Sequence, residues 1–377
     1  MTMHISETNC TGCLACENIC PVSAISHTDN NDFIRPIINE NVCVNCGKCL
    51  QVCPQSKEFE ENKFFQKAYA VQHLDLSILA QSTSGGAFSS IADNILQQNG
   101  SIYGCVLENC TVRHIRVEKD YHRMRGSKYV QSDLGNTYLN IEKDIKEGRK
   151  VLFTGTPCQC AAVKSFLLAK KNPSDNLILV DFVCHGITSP LLFREYLLYY
   201  EQYSGKSIVD HLFRSKINGW TNHTEMNVLC DGTEDYASYE SQLFKSIFYS
   251  HLGMNESCFK CKYASLKRVS DITLADFWGL NESHPELFDQ RGVSFVLVNS
   301  AKGWSFFNSC KNIKKSIVSI SDTMQPALCG PVNKPEKYEC FWRDYRRKGF
   351  RYVVKKYYCG GKFHRAISDI YHRLFKR

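Results

Sequence analysis

Four cysteines and a proline fall within CTGCLACENICP, from Cys10 to Pro21, with the spacing C-x2-C-x2-C-x3-C-P. The same spacing recurs at Cys43, Cys46, Cys49, Cys53 and Pro54, which marks an internal duplication. Three thiolates two residues apart can wrap one iron–sulfur cube, while the fourth, set beyond a turn, reaches a neighbouring cube. The pattern therefore predicts one 4Fe–4S cluster on Cys10, Cys13, Cys16 and Cys53, and a second on Cys43, Cys46, Cys49 and Cys20. Gly12 and Gly47 are expected to let backbone amides approach the sulfurs. A zinc site uses two well-separated C-x2-C pairs. A disulfide framework needs an oxidising compartment, and the start MTMHISETNC has neither a basic nor an apolar export segment. Spacing and expected compartment both favour clusters over zinc or disulfides.

The elements that must carry further chemistry follow. The chain has 377 residues, 43% of them apolar, enough for two domains with a sizeable interior. No apolar run approaches the ~20 residues of a membrane span, so a cytoplasmic protein is expected. Charged, turn-prone QSKEFEENKFFQK (Gln55 to Lys67) reads as a linker. After it, short apolar runs alternate with helix-period segments: YAVQH before GAFSSIADNILQQNG, KVLFTG before CQCAAVKSFLLAKK, NLILVDFVC before SPLLFREYLLYYEQY. That alternation predicts an α/β domain with a mainly parallel sheet, joined later by DITLADF and GVSFVLVN.

Three strand-to-helix junctions stand out. Ser82-Thr83-Ser84-Gly85-Gly86 opens a helix with small hydroxyls and paired glycines, which suits an anion or serves as a simple cap. Cys158 follows KVLFTG, and Cys184 and His185 follow LILVDFV. In open α/β sheets ligands collect at the carboxyl ends of strands. With Cys258 and Cys261, Cys158 and Cys184 could form a third four-thiolate site, with Cys160 a substitute for Cys158; spacing alone leaves a cluster, zinc and no metal open. Cys105, Cys110, Cys230, Cys310, Cys329, Cys340 and Cys359 read as structural.

Residues 1–60 resemble a bacterial-type two-cluster ferredoxin domain, an α+β unit. Across residues 82–279, STSGGAF, GSKYVQSDLGNTY, VLFTGTPCQ, VCHG, CFKCKYA and ADFWG together resemble the coenzyme F-420 hydrogenase/dehydrogenase beta subunit family. The resemblance covers residues 1 to about 340 and divides the chain into 1–60, 61–340 and a basic tail, 341–377. It implies an α/β flavin-binding domain with FAD close to a third 4Fe–4S cluster. Carried over by motif, Ser82, Thr83, Ser84, Gly85, Gly86, Ser127, Lys128, Thr154 and Gly155 would hold the flavin, and Cys158, Cys184, Cys258 and Cys261 the cluster. Lys128, His185 and Asp276 are polar candidates for the flavin's surroundings.

A hydride carries two electrons and a cluster takes one, and a flavin handles both. The expected activity is oxidoreduction between an electron carrier (ferredoxin or a partner redox subunit) and a hydride carrier or small organic substrate. The alternative is a non-catalytic electron-transfer subunit that docks a partner enzyme. Radical chemistry on S-adenosylmethionine would need C-x3-C-x2-C, which is absent.

Net charge is +8, yet Arg343 to Arg377 holds twelve Lys or Arg against Asp344 and Asp369, so the remainder sums to −2. A near-neutral body with no recognition motif argues against nucleic acid. The tail is expected to pack Phe350, Val353, Val354 and Tyr357 on the body, or to touch anionic lipid or an acidic partner.

Overall fold

The computed structural model describes residues 9–28, 32–59 and 64–358. The N-terminal part holds only short elements: helix α1 (Ala15–Ile19), strands β1 (Ile25–His27) and β2 (Pro36–Ile38), paired antiparallel, and α2 (Lys48–Val52). Five-residue helices do not stand alone in water. These two are held by packing, because Ala15, Cys16, Ile19 and Val52 share one apolar core with Tyr138, Ile141, Phe166 and Leu167 of the large domain.

The large domain is mixed α/β around one eight-stranded sheet. Its strands are β3 (Lys67–His73), β4 (Ser101–Glu108), β5 (Thr111–Val117), β6 (Val151–Gly155), β7 (Leu177–Phe182), β11 (Ile272–Asp276), β12 (Ser294–Val298) and β13 (Ile313–Val318), in the order β13-β3-β12-β11-β7-β6-β4-β5. The central four, β4, β6, β7 and β11, run parallel. VLFTG and LILVDF are apolar on both faces, as strands covered on both sides must be.

The flanks depart from the expected parallel pattern. β4 and β5 are joined only by Asn109 and Cys110, both with positive φ (49° and 60°), a two-residue turn that forces an antiparallel hairpin. On the other side β12 and β13 both run antiparallel to β3. β8 (Ile208–Ser215), β9 (Thr224–Leu229) and β10 (Glu234–Asp235) form a separate antiparallel sheet that the apolar pattern did not announce.

The helices are α3 (Leu76–Gln81), α4 (Ala87–Leu96), α5 (Thr137–Lys146), α6 (Pro157–Ala169), α7 (Pro190–Ser204), α8 (Leu243–Tyr249), α9 (Leu280–Ser283), α10 (Ala301–Ser309), α11 (Tyr338–Lys348) and α12 (Phe350–Val353). α11 and α12 belong to the body. Phe341, Trp342, Phe350, Val353 and Val354 are buried with Phe193 and Phe244 of α7 and α8, while Arg346, Arg347 and Lys348 face water. The packed reading of the tail thus describes residues 341–358, and the tail beyond Tyr358, with Cys359, lies outside the described residues. No helix among the described residues is long and apolar enough to cross a membrane.

Candidate functional site

Two cavities open in the N-terminal part. One is lined by Cys10, Cys13, Cys16 and Cys53, the other by Cys20, Cys43, Cys46 and Cys49. Cys20 and Cys53 therefore exchange places between the repeats, as the x3 spacing requires. Amides reach sulfur at both, Gly12 N–H donating to Cys10 Sγ (3.4 Å) and Ala24 N–H to Cys20 Sγ (3.3 Å). Gly12 has φ +68°, and a Cβ there would lie 2.2 Å from the Ile34 carbonyl oxygen, so only glycine fits. Gly47 serves differently: a Cβ there would meet nothing, and its φ of +71° starts α2.

The cavities differ in depth. Cys16 and Cys53 are buried, whereas Cys46 is exposed. Burial pushes the Cys13 thiol up to about 12 and Cys16 well above its ordinary value.

The third group is assembled by the sheet. Register pairs Gly155 with Asp181 and Asp181 with Thr273, so β6 and β7 end nearly level while β11 runs on to Asp276. Thr156 caps α6 through a reciprocal bond with Gln159, Pro157 takes the first helical position, and Cys158 follows with Sγ 3.0 Å from Thr156 Oγ1. Cys184 leaves β7. Asn255 caps the short turn Glu256–Lys260 that carries Cys258 and leads into Cys261. Burial pushes Cys158 and Cys184 up to about 12 and Cys258 well above its ordinary value. The charges of neighbouring cysteines in this set add to each rise, so the four thiols lie near one another.

Cys160 does not replace Cys158: its thiol turns into the core toward the Val180 carbonyl (3.6 Å). Among the described residues no group of three or more His, Cys, Asp or Glu side chains is placed to hold a single metal ion. Of the cysteines read as structural, Cys310 is buried and Cys105 and Cys340 are half-buried, while Cys110, Cys230 and Cys329 lie at the surface.

The inner N-terminal cavity adjoins this third group. The charge of Cys158 contributes to the raised Cys13 thiol. Tyr138 and Tyr263 stand between them, each raised chiefly by burial and then by thiols of both sets. Tyr138 Oη donates to the Cys13 carbonyl, and Tyr263 Oη to that of Pro54 (3.0 Å).

The segments matched to flavin converge as well. Ser127 N–H donates to Thr83 Oγ1 (3.1 Å), and Arg125 reaches Gln81 Oε1 (2.7 Å) and Ser89 Oγ (3.0 Å). The hydroxyls expected to face an anion serve the loop instead: Ser82 donates to the Ile78 carbonyl and Ser84 to that of Val293. What remains for an anion is the start of α4, where Gly86 (φ +80°) provides no side-chain cap. Lys128 Nζ is spent on the carbonyls of Arg123, Arg125 and Gly126. Thr154 is fixed by its hydroxyl on the Tyr103 carbonyl (3.3 Å) and by His114 Nε2 on its own carbonyl (3.0 Å).

Asp276, at the end of β11, pairs with Arg214 and accepts from Trp220 Nε1 (2.9 Å). Burial holds nearby His185 below the ordinary imidazole value, opposed by a bond with Gln325 and the Asp276 charge. Arg214 and Trp220 carried no spacing signal. They come from the small sheet and its adjoining loop.

Residues 9–57 match the model of the 4Fe-4S dicluster domain, and residues 148–322 match that of the C terminus of the coenzyme F420 hydrogenase/dehydrogenase, beta subunit. The larger segment belongs to that family. All four cysteines of the third group lie in the matched F420 hydrogenase/dehydrogenase segment, whereas Ser82–Gly86, Ser127 and Lys128 precede it. The two matches set a 4Fe-4S dicluster segment in the same chain as a segment that matches an oxidoreductase family. No curated protein matches the chain in sequence. Among solved structures, a chain from the xenon-derivatised F420-reducing [NiFe] hydrogenase complex of Methanosarcina barkeri aligns with a TM-score of 0.47. It is 14% identical over 79% of this chain and 94% of that one.

Proposed function

We propose that this chain is an iron–sulfur flavoprotein oxidoreductase that passes electrons between 4Fe–4S clusters and a hydride carrier or small organic substrate through FAD. The carrying observation is the succession of cysteine sets: an outer cavity with exposed Cys46, an inner cavity with buried Cys16 and Cys53, then the third group at the carboxyl ends of β6 and β7. Cys10, Cys13, Cys16 and Cys53 hold one cluster, Cys20, Cys43, Cys46 and Cys49 another, and Cys158, Cys184, Cys258 and Cys261 a third. The dry, neighbouring thiols fit thiolate ligation. When bound, the clusters supply one-electron transfer and FAD the exchange between one and two electrons.

The protein's own residues supply the rest. Tyr138 and Tyr263 keep the inner cavity and the third group in one packed body. Ser82 to Gly86 shape the approach to α4, whose open N-terminus favours a phosphate; Ser127 closes that loop through Thr83, and Lys128 braces the strand-side turn. Thr154 and Gly155 line the strand ends, where His185 and Asp276 add polar groups. No disulfide joins the described cysteines, which suits a reducing compartment, the cytoplasm.

Anaerobic purification followed by iron, sulfide and flavin analysis tests this reading. About twelve irons per chain, three cubes of four, with one FAD is expected. About eight irons without flavin, or zinc at Cys258 and Cys261, would overturn it. Exposed Val42 and Val44 beside Cys46 favour a second reading, a subunit that only relays electrons to a docked partner. Turnover of a hydride carrier with artificial acceptors by the isolated chain excludes that reading.

A further inference from the structure

A buried ion pair stands against the third thiol group. Asp181 lies in β7 three residues before Cys184, and Arg268 follows Cys261 closely in sequence. Arg268 Nη2 lies 2.8 Å from Asp181 Oδ1, and the two side chains are 1% and 0% exposed. The guanidinium spends its hydrogen bonds elsewhere: Nε on Thr273 Oγ1 (3.1 Å), Nη1 on the carbonyls of Tyr263 (3.0 Å) and Ser265 (3.3 Å), and Nη2 on that of Phe182 (3.3 Å). Phe182 is two residues before Cys184, and Tyr263 two residues after Cys261. Arg268 is therefore bolted to both segments that deliver thiols. Asp181 is close enough for an ion pair, but neither of its oxygens accepts a well-aligned hydrogen bond.

Such a pair is a poor device for stability, since desolvating two charges offsets their attraction. It is an effective device for setting a local field, because charges act strongly where water is excluded. Through the carbonyls of Phe182 and Tyr263 the guanidinium is fixed beside both thiol-bearing segments. Taking up one electron adds a negative charge to an iron–sulfur site. A fixed cation beside it favours the reduced form and a fixed anion the oxidised form. We propose that Arg268 and Asp181 set the reduction potential of the third iron–sulfur site, Arg268 raising it and Asp181 lowering it. This inference rests on the three-cluster reading above.

The test is a redox titration of the anaerobically purified full chain, with dithionite as electron donor and the cluster signals followed by electron paramagnetic resonance. Arg268→Gln is expected to lower the midpoint of the third site enough to change its reduced-to-oxidised ratio about tenfold at the wild-type midpoint, which for one electron is about 59 mV. Asp181→Asn should shift it in the opposite direction. Arg268→Lys, which keeps the charge, should stay near wild type, and the double variant Arg268→Gln/Asp181→Asn, which buries no lone charge, should fall between the singles. The two N-terminal signals serve as controls and should not move. Twelve irons with unmoved midpoints, or Arg268→Gln and Arg268→Lys shifting alike, would overturn the inference and leave the three-cluster reading intact. Eight irons in the wild-type chain would instead remove the reading on which it rests.

Discussion

The N-terminal loops and the crevice beside β6 and β7 gather thiols in opposite ways. In each loop three cysteines sit two residues apart, so the chain itself brings them within reach and the fold adds only the fourth. In the crevice the four come from the first turn of α6, the end of β7 and the turn after Asn255. The neighbouring ends of β6 and β7 bring Cys158 and Cys184 together, and the turn after Asn255, tied to the Ile187 carbonyl, adds the other two. The energetic consequence is that the loops have five-residue helices and need their ligand to be organised. The crevice cysteines are carried instead by long elements of the body, β6, β7 and the 13-residue α6.

Cysteine substitutions on the two sides break this comparison most directly. Cys16→Ser should remove about four irons and open residues 9–57 to protease, because Cys16 is both ligand and core residue. Cys184→Ser should remove a similar amount of iron while the body keeps its protease resistance. Iron analysis beside limited proteolysis reads both, and equal protease sensitivity would show that the loops stand without metal.

A second contrast concerns how far the body's own core extends. Phe341 is fully buried among Trp342, Tyr345 and Tyr357. Phe341→Ala is expected to cost about 3–5 kcal/mol, as large-to-small core changes do. Chemical denaturation followed through the body's tryptophans measures it. A cost below about 1 kcal/mol would make α11 an appendage.

Acid should weaken the body through its buried histidines. Burial lowers His114 and His211 to about 4, against about 6.5 when unfolded. Between those values the unfolded chain binds more protons, so their contribution is complete above pH 6.5 and is lost as pH falls toward 4. Each accounts for roughly 3 kcal/mol over that range. Melting curves at pH 7 and pH 5 should separate, and His211→Gln should narrow the gap; an unchanged gap would place the acid sensitivity elsewhere.

The same contrast explains what could be read before the fold was known. The crossed pairing of Cys20 and Cys53 was legible because spacing along one chain carries it. So were β3, β6, β7, β11 and β12, whose apolar runs are local. The β4–β5 hairpin was missed because its turn is Asn109-Cys110, without the glycine that usually marks such a turn. No local pattern shows that the Ile78 and Val293 carbonyls take the hydroxyl protons of Ser82 and Ser84. Arg268 and Asp181, far apart in sequence, left no signal either. Each miss depends on a partner that only tertiary structure supplies.

The smallest expected effect lies where the two regions meet. Tyr263 leaves the segment after Cys261 and donates to the carbonyl of Pro54, directly after Cys53, so one buried hydrogen bond joins the body to the inner cavity. Tyr263→Phe keeps the ring and deletes only that bond, at a cost of about 1 kcal/mol. Global melting should barely move, because the body's core is untouched. Local opening of the N-terminal part should become about five times more frequent, which hydrogen exchange at the amides of α2 would detect. Arg268 holds the Tyr263 carbonyl and should keep the third thiol group in place, so the change should stay on the N-terminal side. Faster exchange on both sides would mean that the loops and the crevice open as one unit. Unchanged exchange at α2 would mean that Ser165, which donates to the Val52 carbonyl (2.7 Å), holds the junction without Tyr263.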